Sequence, residues 1–74
     1  MTATEAIWRD YHERLFVFIR SRVADRATAD DILQEVFLRV HTALPSIKDG
    51  TKLQSWLYQV TRNAVINHYR ARKP

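Results

Sequence analysis

Three stretches of this chain open with the same short signal, and little else in the sequence can interrupt a helix. "TATE" sets Thr2 three residues before Glu5, "TADD" sets Thr28 before Asp31, and "TKLQ" sets Thr51 before Gln54. At a helix start, a threonine hydroxyl accepts from an orphan backbone N–H while the later side chain reaches back. One glycine and two prolines in 74 residues leave little punctuation and little room for a sheet. The stops are softer. "SRVADRA" separates the first two stretches and "LPSIKDGT" the next two; Pro45 cannot continue a helix, and Asp49-Gly50 marks a turn. The expected fold is all-α, a compact three-helix bundle with helices near 3–23, 29–44 and 52–71, forming one domain over 1–74. A domain this small buries only about 60% of the surface its unfolded chain exposes, so its stability is expected to be modest.

Placing successive residues about 100° apart gives each helix two faces. In the first, Ile7, Trp8, Tyr11, Leu15, Phe18 and Ile19 form a core stripe, with Phe16 and Val17 outside it, so this helix is expected to be touched on more than one side. In the second, Ile32, Leu33, Val36, Phe37, Val40 and Leu44 face the core. Opposite them stand Asp31, Gln34, Glu35, Leu38 and Thr42, with the leucine ringed by acceptors in the manner of a docking anchor. In the third, Leu53, Trp56, Leu57, Val60 and Ala64 complete the core, while Tyr58, Gln59, Arg62, Ile66, Tyr69, Arg70 and Lys73 point the other way.

The net charge of +4 conceals a strong asymmetry. Residues 1–49 carry seven Lys/Arg against eight Asp/Glu, whereas residues 50–74 carry five Lys/Arg and no acid. Cations interleaved with exposed aromatics suit nucleic acid, the cations meeting phosphate and the rings stacking on unpaired bases. The plainer alternative packs Tyr58 and Tyr69 on the first helix and leaves the cations to solvent. Enzymatic chemistry finds little footing. His12, His41 and His68 lie on separate segments without metal-ligand spacing, and there is no phosphate loop or nucleophile elbow. Asp30, Asp31 and Glu35 near a helix start are read most simply as capping and dipole-favoured charges. Without cysteine there is no disulfide and no thiolate metal site; no cofactor is expected. The absence of a signal-peptide pattern or an apolar run of membrane length points to a cytoplasmic protein.

Two segments together resemble a known family. "TADDILQEVFLRVHTAL" resembles the core-polymerase-binding helix of bacterial sigma factors, and "KLQSWLYQVTRNAVINHYRARK" the next helix, which reads the promoter −10 element. The extracytoplasmic-function group is the most similar, its pattern reading here as Leu53, Trp56, Leu57, Val60, Thr61, Asn63, Asn67, Arg70 and, one place late, Arg72, with Leu53 in place of the usual Phe and Asn67 where Asp is common. The resemblance implies that Asp31, Gln34, Glu35 and Leu38 face the clamp helices of core RNA polymerase. It makes Lys48, Asp49, Gly50, Thr51 and Lys52 the loop that receives a flipped base of the non-template strand, with Asn63 beside it. It assigns Arg62, Arg70, Arg72 and Lys73 to phosphates, alongside the exposed Tyr58, Ile66 and Tyr69. An anti-sigma factor is a further partner the family allows. Where primary sigma factors carry a wedge of two tryptophans, this chain has Trp56 and Leu57. The family's second helical domain, which binds the −35 element, has no counterpart here, and the expectation is an excised domain. Two other readings stay open: a helix-turn-helix domain reading duplex DNA, and a protein-interaction module without a nucleic-acid role.

Overall fold

The computed structural model describes residues 3–44 and 50–72. Three helices account for nearly all of them: α1 (Ala3–Arg20), α2 (Arg26–Ala43) and α3 (Leu53–Arg72), the last entered through a 3-10 turn at Gly50–Lys52. The fold is an all-α bundle in which α2 packs against both neighbours, and α1 and α3 meet each other less extensively. Thr2, Pro45, Lys48, Asp49 and Lys73, which the sequence reading invoked, lie outside the described residues.

The core follows the helical period. Leu15 and Ile19 of α1, Ala29, Ile32, Val36 and Val40 of α2, and Leu57, Ala64 and Val65 of α3 are buried together; on α1 and α2 they recur every three or four residues, and on α3 buried Thr61 fills the interval between Leu57 and Ala64. Aromatic rings seal the edges of this cluster. Trp8 meets Phe37 edge-on with centroids 5.0 Å apart, and Phe18 meets Tyr58 edge-on at 5.5 Å. Such pairs add about 0.5–1.5 kcal/mol beyond the area they bury. Thr61 is fully buried in this apolar setting; its hydroxyl donates to the Leu57 carbonyl at 2.8 Å, so burial leaves the hydroxyl paired. The expectation that α1 is touched on two sides is met by half-buried Phe16 and not by Val17, which is 67% exposed.

The helix boundaries differ from the sequence reading for identifiable reasons. α1 ends at Arg20, three residues earlier than expected. The Arg20 guanidinium donates to the carbonyls of Val23 (3.1 Å) and Ala24 (3.2 Å), and Val23 folds back to close the core. α2 starts at Arg26, not beyond Thr28. Its cap is Asp25, in extended conformation, whose carboxylate accepts from the Thr28 N–H at 2.7 Å and from the Thr28 hydroxyl at 3.1 Å. Aspartate ranks above threonine as a cap, and here one carboxylate meets two donors. The first turn of α2 therefore contains no acid, and Asp30, Asp31 and Glu35 do not cap the helix. Gly50 also proves ordinary: it has no positive φ, and a side chain there would meet open space. We expect Asp25→Ala to lower unfolding free energy by about 1 kcal/mol, read from urea denaturation. A change indistinguishable from zero would show the cap to be dispensable.

Candidate interface for polymerase and nucleic acid

The four residues assigned to polymerase binding form the crest of α2. Asp31, Gln34 and Leu38 are exposed and Glu35 is half-buried, because the buried stripe of Ile32, Val36 and Val40 turns this face outward. Leu38 stands 59% exposed. A hollow flanks the crest on each side. On the α1 side Gln34 and Asp30 border one of about 430 Å³ lined by Trp8, Leu33 and Phe37. On the α3 side Glu35, Leu38, Arg39 and Thr42 face Trp56, Val60 and Asn63 across a groove of about 480 Å³.

That second groove brings the faces of two helices together. Leu38 and Glu35, assigned to a protein partner, share walls with Asn63, assigned to a nucleic acid. The groove also brings in residues that face periodicity did not single out. Arg39 donates to Glu35 at 3.0 Å one turn away, so Glu35 already has a cationic neighbour. An exposed pair of this kind contributes only about 0.3–0.5 kcal/mol, so it limits neither residue. Its Glu-x-x-x-Arg spacing is visible in the sequence. Trp56 is half-buried and lines the groove, while Leu57 beside it is fully buried.

The acid-free helix presents a mixed face. Arg62, Asn63 and Arg70 are exposed, Ile66 is 40% and Tyr69 46% exposed, and Gly50, Thr51 and Lys52 stand exposed at its entrance. Among the described residues, neither Arg62 nor Arg70 has a carboxylate within ion-pair distance. The two tyrosines are partly engaged, Tyr58 by α1 and Tyr69 by the turn that follows it, as the plainer alternative expected. Tyr58 is half-buried against Phe18, and the Tyr69 hydroxyl donates to the Arg22 carbonyl in the α1–α2 turn. Phe18 and Tyr58 floor a hollow of about 440 Å³ rimmed by Ser55, Gln59, Arg62 and Asn63. Arg72 ends α3. Each histidine sits on a different helix, and no three His, Asp or Glu among the described residues gather as metal ligands.

Comparison with known proteins agrees with this architecture. The family model for sigma-70 region 2 matches residues 7–74. The RNA polymerase sigma factor SigZ of Bacillus subtilis is 41% identical over 69 residues, covering 93% of this chain and 39% of that protein. The ECF RNA polymerase sigma factor SigM of the same organism is 38% identical over 73 residues, covering 99% of this chain and 44% of that protein. The ECF RNA polymerase sigma factor EcfG of Rhodopseudomonas palustris is 38% identical over 60 residues, 81% of this chain and 32% of that protein. No solved structure matches. The chain belongs to the sigma-70 region 2 family, in its extracytoplasmic-function (ECF) form. It spans less than half the length of the curated relatives it matches.

Proposed function

We propose that this chain serves transcription initiation as a non-catalytic sigma region 2 domain over residues 1–74, working in the cytoplasm where the polymerase is. The α2 crest of Asp31, Gln34, Glu35 and Leu38 docks on the clamp helices of core RNA polymerase. The 48–52 loop, Asn63 and the exposed side of α3 capture the opened non-template strand of the −10 element. Arg62, Arg70, Arg72 and Lys73 neutralise phosphates, and Tyr69, with the accessible edge of Tyr58 and Ile66, meets bases. Stacking contributes about 1–3 kcal/mol per base against a mean of about 1.4 kcal/mol to open a base-pair step, so strand capture can proceed without an energy source. An anti-sigma factor is a further partner in this reading.

The observation that carries the proposal is the juxtaposition across one groove of exposed Leu38 with the acid-free helix. A protein-only module has no need of Arg62 and Arg70 on that helix, neither of which has a carboxylate within ion-pair distance among the described residues. The test is the salt dependence of binding to a single-stranded oligonucleotide carrying a −10 sequence. If Lys52, Arg62, Arg70, Arg72 and Lys73 all neutralise phosphates, log K against log salt should have a slope of about −3.5. A duplex of the same sequence should bind more weakly. A slope near zero would remove the nucleic-acid half of the proposal, and preference for the duplex would replace strand capture with groove reading.

A further inference from the structure

The α1–α2 turn carries a cation that the proposed function does not use. Arg22 lies immediately beyond α1, and its guanidinium sits over the Phe18 ring, 3.8 Å from the centroid. One nitrogen, Nη1, donates to the Phe18 carbonyl at 3.3 Å and to the Ser21 hydroxyl at 2.9 Å. Nε and Nη2 have no partner among the described residues, and no described carboxylate lies within ion-pair distance. The one acid between Arg20 and Arg26 is Asp25, whose carboxylate is engaged by the Thr28 N–H and hydroxyl. A guanidinium stacked on a ring and anchored at one corner keeps its planar donor fork with little further entropy to lose. That geometry suits a phosphate.

The fold joins this cation to the strand-binding face at two points. The Tyr69 hydroxyl donates to the Arg22 carbonyl, tying the turn to the end of α3 next to Arg70. The Phe18 ring beneath the guanidinium also floors the hollow rimmed by Arg62 and Asn63. Arg22 therefore borders the same aromatic patch as the α3 cations, although 40 residues separate it from Arg62 in sequence.

We infer that Arg22 is an additional phosphate-binding contact, extending the polyanion track from α3 onto the α1–α2 turn. The inference rests on the nucleic-acid half of the proposed function. The phosphate belongs either to the captured single strand or to adjoining duplex, and the slope tells them apart. Arg22→Gln keeps a neutral donor for the Phe18 carbonyl and removes the charge. In the 74-residue chain we expect it to weaken binding about tenfold, as the loss of one charge-assisted hydrogen bond implies. If the contact is to single strand, the log–log salt slope on a single-stranded probe should become less steep by about 0.7. If it is to duplex, a fork probe with a double-stranded arm should show the loss, by about 0.9. Arg22→Lys should restore the slope and only part of the affinity. Arg9→Gln, which removes a cation beside Asp10, should leave both unchanged. A melting scan of each variant separates binding from folding. Unchanged slopes on both probes with a folded Arg22→Gln chain would overturn the inference, leaving Arg22 as a helix-end cap. A wild-type chain that binds neither probe would overturn this inference together with the strand-capture proposal.

Discussion

Leu38→Arg is expected to reduce binding of the chain to a purified polymerase clamp-helix fragment by at least about a hundredfold. Burying an exposed leucine against a partner contributes about 1.5–3 kcal/mol, and a cation pressed into the same apolar contact without a counter-charge adds a desolvation cost. Each 1.4 kcal/mol is about tenfold in affinity. The fold should not register the change: Leu38 is 59% exposed, and surface substitutions away from structural features stay within about 0.5 kcal/mol. Single-strand affinity should hold or rise, because the new guanidinium would stand across the groove from Asn63. Isothermal titration with the clamp fragment decides the matter. Binding as tight as wild type would move the docking site off this crest.

Leu57→Ala should have the largest effect on stability. Leu57 is fully buried where α3 meets the shared core, and truncating such a leucine costs about 2–5 kcal/mol, part of it for the cavity left behind. At about 0.05–0.15 kcal/mol per residue, a 74-residue domain holds only about 4–11 kcal/mol in total. The variant should therefore unfold at a much lower urea concentration than wild type. A loss under about 1 kcal/mol would mean that α3 is seated differently. The same burial bears on promoter opening. Leu57 stands where primary sigma factors carry the second of two tryptophans, and a fully enclosed side chain cannot wedge a duplex. In the proposed function, the residue of that pair left accessible for such contact is half-buried Trp56.

Much of this was legible before the structure, and the misses share a physical cause. The buried sets Ile32/Val36/Val40 and Leu57/Ala64 followed from period alone, as did the outward turn of Leu38, because helix faces are local geometry. The start of α2 was misread because two cap candidates, Asp25 and Thr28, lie three residues apart and the stronger one recruits the other as its donor. The placement of Tyr58 against Phe18 and of Tyr69 against the Arg22 carbonyl depends on how α1 crosses α3, which no single-helix periodicity encodes. Arg22 was passed over for the same reason. The Phe18-to-Arg22 spacing was readable as one helical turn, but the nearness of α3 was not. The functional reading came from motif resemblance more than from faces, and the family comparison bears out the class it named.

The groove that joins Leu38 to Asn63 has a thermodynamic consequence for a protein with two ligands. Its opposite walls belong to different binding partners in the proposed function, so settling one wall biases the arrangement available to the other. Coupling of this kind is reciprocal: whatever factor the polymerase adds to strand affinity, the strand must add to polymerase affinity. The sign of that coupling is read by titrating the strand with and without the clamp-helix fragment bound. If the factor exceeds one, release of the strand as the polymerase moves off the promoter loosens the domain's own hold on the enzyme; if it lies below one, release tightens that hold.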